Sequence, residues 1–172
     1  MSPTSSLPPR RPARLALLAL LFLATAVTAE SAPPPRDPNI ADPAPASPEL
    51  KPVFDQFGGV EGIRALMEDF MAILLADPRT AGFFAESDNE RVKDKLTEQV
   101  CAILGGGCEY TGMDMVEAHA GHLIRQADFN ALVENLQIAM DGRGIPTRAQ
   151  NRLLARLAPM HREVVNDPPR EE

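Results

Sequence analysis

Between Cys101 and Phe129 the chain reads CAILGGGCEYTGMDMVEAHAGHLIRQADF. This stretch concentrates the groups able to do chemistry: both cysteines, the one tyrosine (Tyr110), and His119 and His122 of the three histidines. His119 follows Met115 by four positions, so on a helix the two share a face and the imidazole projects beside apolar side chains. A neutral imidazole placed there can ligate a metal through one nitrogen while its other N–H is held by a carbonyl or water. A packed histidine without a ligand is the plainer reading of the same pattern. Cys101 and Cys108 lack the partners and spacing of a zinc site, and there is no HExxH, CxxC, CxxCH or phosphate-binding glycine loop. Serine is sparse after residue 52, which leaves a Ser-His-Asp triad little to work with.

The surrounding elements must present that imidazole. Leu96, Val100, Ile103 and Leu104 form an apolar stripe on a helix opened by Ser87-Asp88-Asn89-Glu90, which has the form of a capping box. Gly105-Gly106-Gly107 stops this helix, since glycine supplies the φ > 0 that helix ends require. Upstream, Phe57-Gly58-Gly59 marks a turn. Val60, Ile63, Leu66, Met67, Phe70 and Leu74 then recur at three and four, a helix of about four turns closed at Asp77-Pro78. Phe83-Phe84 sits in a short connector. Downstream, Phe129, Leu132, Val133, Leu136 and Met140 form another stripe, ended by Gly142 and Gly144. Thr147 to Gln150 has the pattern of a second capping box. Leu153, Leu154, Leu157, Val164 and Val165 complete a last helix that Pro159 must bend. No strand alternation and no repeat is present, so the fold class is all-α.

A length of 172 residues suits one core, and the net charge of −7 argues against nucleic acid or an anionic membrane as partner. Arg10, Arg11 and Arg14 precede the apolar run 15–27, and Val27-Thr28-Ala29 supplies small residues for cleavage. Residues 1–29 therefore read as a signal peptide. The run of about 13 residues falls short of the ~20 needed to span a bilayer, which predicts no stable membrane anchor once it is cut. Export follows, to the periplasm if the source is a Gram-negative bacterium, with Sec and twin-arginine routes both open. Residues 30–52, rich in proline, alanine and serine, read as an extended tether. The folded domain is expected over 53–166, with 167–172 a disordered tail.

The ordered set Phe57-Gly58-Gly59, Glu68-Asp69-Phe70, Ala76-Asp77, Phe83-Phe84, Gly105-Gly106, Tyr110-Thr111-Gly112, Met115, Ala118-His119 and Phe129 resembles the group 1 truncated haemoglobins. The match covers nearly all of residues 53–165. The resemblance implies a truncated globin, a two-over-two helical sandwich around haem b, with His119 as the proximal iron ligand. Phe84 is then expected on the porphyrin face, Met115 and Phe129 on the proximal side, and Lys95 near a propionate. The distal pocket is expected from Phe70, Met71, Val92, Leu96 and Gln99. Met71 stands where many members have tyrosine, so the pocket offers bound oxygen few donors, with Gln99 a turn further along. His122, three residues on, is expected on a neighbouring, exposed face. His161 resembles the last-helix histidine that bonds covalently to a haem vinyl group in cyanobacterial members.

The expected function is an exported haem protein that binds a diatomic gas (O2, NO or CO) at a single His-ligated iron. A nitric oxide dioxygenase or weak peroxidase is the enzymatic alternative. It would need an external electron donor, and the pocket positions hold no acid–base group for peroxidase chemistry. A haem-free helical partner-binding module is the third class. Export also bears on the cysteines. In an oxidising compartment Cys101 and Cys108 can pair, with the intervening glycines folding the chain back, whereas two buried free thiols are the competing reading.

Overall fold

Gly58 takes φ +81°, and this lets the chain turn from α1 (Lys51–Gln56) into α2 (Gly59–Ala76). Along α2 the spacing of three and one carries Ile63, Leu66, Met67, Phe70, Met71 and Leu74 to one buried face. The helix stops where Asp77 turns extended before Pro78, and the buried Thr80 hydroxyl donates to the Leu74 carbonyl at 2.8 Å. The computed structural model describes residue 40 and residues 42–167. The expected signal peptide 1–29, the first part of the expected tether and the expected tail beyond residue 167 lie outside these described residues.

After the single-turn α3 (Ala81–Phe84), α4 runs over Asn89–Ile103. Its cap is Asp88, which accepts the Arg91 N–H at 3.1 Å, one residue later than the capping box expected at Ser87. At its other end Gly106 N–H donates to Cys101 O at 2.8 Å and Gly105 N–H to Ala102 O at 3.1 Å. With Gly105 at φ +73°, this is a Schellman stop. The single-turn α5 (Met115–Ala118) follows, then α6 (Gln126–Gly142) and α7 (Thr147–Leu157). Pro159 does bend the last segment: α7 gives way to a 3-10 turn at Ala158–Met160 before α8 (His161–Val164). The capping box expected at Thr147 is not formed. Instead the buried Gln150 amide donates to Asp141 Oδ1 at 2.7 Å and to Ile145 O at 2.9 Å, bracing the turn between α6 and α7.

The helix α2 packs against both α4 and α6, and α7 lies against α1, α4 and α6. Their inner faces share one hydrophobic cluster, which includes Phe54, Phe57, Ile63, Leu66, Ile103 and Met140. The described residues contain helices and turns and no strand, and among them no helix is long and apolar enough to cross a membrane.

The folded body begins earlier than the expected boundary at residue 53. Pro43, Ala44, Ser47 and Leu50 are all buried, and a 3-10 turn at Pro48–Leu50 leads directly into α1. Glu49 pairs with Arg156 of α7 at 2.5 Å. A Cβ on Gly105 would stand 2.6 Å from the Ser47 carbonyl oxygen, so this segment crosses the end of α4 at backbone distance. The proline content signals low helix propensity, but these small, stiff residues fit the seam.

Candidate haem site

His119 lies at the C-terminal end of α5, past one turn of helix rather than within a long one. Asp114 opens that turn by accepting the Glu117 N–H at 2.8 Å. The His119 Nδ1–H donates to the Met115 carbonyl at 2.7 Å, which leaves Nε2 as the nitrogen with a lone pair to offer. The ring is half-buried. That burial is the main cause holding its pKa below the ordinary value; the nearby His122 acts in the same direction and the bond to Met115 opposes it. The imidazole is therefore neutral near pH 7, the form that binds iron. His122 is exposed and meets the Phe83 ring edge-on at 6.5 Å.

Phe70, Met71 and Met115 are buried, while Phe84, Val92, Leu96 and Phe129 are half-buried on α3, α4 and α6. Phe84 and Leu96 pack on the cluster that also holds Phe70 and Met115. His161 is brought to Phe129, ring centroids 4.8 Å apart at 90°, and its Nε2 shares a 2.6 Å hydrogen bond with Gln126 Oε1.

Two expected site residues are engaged elsewhere. The Gln99 amide donates to the Pro43 carbonyl at 2.7 Å and touches Met160 Sδ at 3.7 Å, so it fastens the N-terminal segment instead of facing a distal ligand. This corrects its place in the distal pocket; the segment that captures it was expected to be an extended tether outside the folded domain. Lys95 is neither free nor fully solvated: its ammonium bonds both Glu98 oxygens, at 2.8 and 3.0 Å, and Thr111 Oγ1 at 2.5 Å.

The sequence reading missed the brace these bonds belong to. Glu98 Oε2 also accepts the Thr111 N–H at 3.0 Å and its hydroxyl at 2.9 Å. Burial alone would raise the Glu98 carboxyl, but Lys95 and Thr111 outweigh it and hold the pKa below the usual value. Cys101 and Cys108 are joined as a disulfide with Cα atoms 5.7 Å apart. The Tyr110 hydroxyl donates to Met113 O at 2.8 Å. The loop from α4 to α5 is thus tied at three points before it reaches His119. Also unforeseen is Lys93, buried beside Val92 and bridging Glu68 at 2.5 Å and Glu90 at 2.8 Å; the Glu68 bond is the first cause of its raised pKa. A lysine after a valine in a helical stripe carries no sequence signal of burial.

A cavity of about 320 Å³, lined by Leu50, Val53, Arg148 and Arg152 among others, lies between the N-terminal segment and α7 and includes none of these residues. Among the described residues no three His, Cys, Asp or Glu side chains gather to hold an ion. One neutral imidazole backed by a carbonyl, with half-buried apolar side chains on three helices, is a donor set that fits iron carried in a macrocycle.

Helices packed around one core, a one-turn segment bearing the histidine and this donor set define a truncated globin. The family model for bacterial-like globins matches residues 52–166, and the chain belongs to that family. Globins of this family bind diatomic gas at haem iron, and haem b is the usual form. The chain is similar to the group 1 truncated haemoglobin GlbN of Mycolicibacterium paratuberculosis, 32% identical over 112 residues, covering 65% of this chain and 82% of the relative. It is 30% identical over 93 residues to a group 1 truncated haemoglobin of Tetrahymena pyriformis, covering 54% and 77%. The Fe(III) crystal structure of truncated haemoglobin from that organism superimposes with a TM-score of 0.64 at 25% identity, covering 67% of this chain and 98% of the other. The cyanomet 2/2 haemoglobin of a Synechococcus species, with covalently attached haem, shares the fold at a TM-score of 0.62 and 20% identity, covering 66% and 97%.

Proposed function

We propose that this protein is an exported globin that binds a diatomic gas at one haem b, its iron held by His119 Nε2. The observation that carries the reading is the 2.7 Å bond from His119 Nδ1–H to Met115 O, on a ring that burial keeps neutral. That bond selects the tautomer with Nε2 available and orients the ring. Haem supplies the iron that takes up the gas. The chain contributes an apolar cover from Phe70, Met71, Val92 and Leu96, which offers bound gas no strong hydrogen-bond donor. Such a pocket suits CO or NO, which need little polar support, and holds partly charged O2 loosely. Nitric oxide dioxygenation would require an external electron donor.

The test is the absorption spectrum of the purified chain in ferric, ferrous and carbonyl forms. We expect a Soret band. His119→Gly should lose tight haem retention, and added imidazole should restore part of it. A normal ferrous spectrum in that variant would assign the iron to another residue, and no Soret band in the wild type would leave the haem-free module. Export rests on the leader pattern, and amino-terminal sequencing of the mature protein should begin at Glu30.

A further inference from the structure

The segment carrying His119 has little regular structure of its own. α5 is one turn, residues 119–125 contain no helix, Gly121 stands at φ +81°, and Leu123 is 68% exposed. A single residue from the far end of the chain grips it at three points. Asn166 Oδ1 accepts the Ile124 N–H at 2.9 Å, Asn166 N–H donates to the Ile124 carbonyl at 3.1 Å, and Asn166 Nδ2–H donates to the His119 carbonyl at 2.9 Å. Asp167 N–H adds a bond to Ile124 O at 3.2 Å.

We propose that Asn166 is a positioning residue for His119, setting how the imidazole presents Nε2. The inference rests on the reading of His119 as the iron ligand. The carboxamide suits the task because it offers an acceptor and a donor from one planar group. The acceptor takes the Ile124 N–H, on a residue that is itself buried, and the donor reaches back five residues to the His119 carbonyl. His119 is thereby held from both sides. Met115, on its own helical turn, fixes the ring through Nδ1, and Asn166, just after α8, fixes the backbone that the ring hangs from. With the Asn166 contact gone, the exposed loop is free to shift the histidine relative to the core. Both the strength and the tilt of its bond to iron would then vary.

The test uses the full chain loaded with haem and compares wild type with Asn166→Asp and Asn166→Ala. Asn166→Asp keeps the acceptor for Ile124 but has no donor for the His119 carbonyl. Asn130→Ala serves as control, since the Asn130 side chain only accepts from Gln126 on an exposed helical face. Two quantities are read: haem transfer to excess apomyoglobin, and the iron–histidine stretching band of the ferrous form by resonance Raman. We expect transfer to be about tenfold or more faster in Asn166→Ala, and the band to shift or broaden in both Asn166 variants while Asn130→Ala leaves both readings unchanged. Faster haem loss with an unmoved band in both variants would make Asn166 a merely structural clasp and overturn the proposal, as would unchanged readings throughout. If the wild type itself shows no iron–histidine band, the ligand assignment fails first, and the two failures are told apart.

Discussion

His119 is useful because of where its protons are. Burial holds its pKa below the ordinary value of about 6.5, so as pH falls the unfolded chain takes up this proton before the folded one does. This contribution to apoprotein stability is complete above about pH 6.5 and is lost progressively as pH drops below it. Urea unfolding of the apoprotein at pH 7.5 and 5.5 should show the loss, and His119→Leu should remove that part of the pH dependence. In the distal pocket we propose, the governing residue would be Met71, buried and without a donor. Met71→Tyr should supply a hydrogen bond to partly charged O2 of roughly 1.5–3 kcal/mol, slowing O2 release by about 10- to 150-fold in stopped flow. Slow release already in the wild type would mean that another group bonds the gas. For His161 the bond to Gln126 occupies Nε2, so we expect haem to leave the protein in acidified butanone; haem retained after extraction would establish the covalent link.

The loop between α4 and α5 behaves as a brace because its ties are of different kinds. The disulfide closes a short loop, and chain entropy gives it about 2.5 kcal/mol of stabilisation. The double variant Cys101→Ser, Cys108→Ser should therefore unfold at lower urea by about that amount, and haem loss should quicken because His119 lies at the end of the same loop. An equal midpoint would mean that Glu98, Lys95 and Thr111 hold the loop unaided. Gly106 belongs to this brace for steric reasons: a Cβ there would collide with the Phe54 ring and stand 2.6 Å from Cys101 Sγ. Gly106→Ala should cost about 1–3 kcal/mol by overpacking, read from the same unfolding curves.

The N-terminal segment is part of the folded body. Leu50 is 6% exposed, and Pro43 satisfies the buried Gln99 amide. A chain beginning at Lys51 loses the burial of Leu50, worth about 1.5–3 kcal/mol, and leaves that amide without its partner, at about 1–3 kcal/mol. Its unfolding free energy should fall by roughly 2.5–6 kcal/mol; a loss under about 1 kcal/mol would make the segment a loose strap. Freed from Pro43, Gln99 would also have a donor to spare on the α4 stripe that carries Leu96, so the O2 release rate of the shortened chain is worth measuring beside its stability.

Helix periods, helix stops and the histidine's neighbourhood were legible in the chain because they depend on residues within about five positions. Phe70 and Leu74 repeat with the turn of α2, Asp77-Pro78 ends it, and Gly105 supplies the positive φ that α4 requires. The spacing of Met115 and His119 already contains the carbonyl-to-imidazole bond, although it forms on one turn of helix and not on a long one. Polar partners could not be read in the same way, since an amide or ammonium bonds whatever the fold brings within about 3 Å. Gln99 is polar on an apolar stripe, and nothing local indicates that it meets Pro43, 56 positions away. Nor does anything near Asn166 point to His119, 47 positions back, or anything near Lys93 to Glu68. Those pairings exist only once the helices are packed, and they decide which polar side chains hold the rest in place.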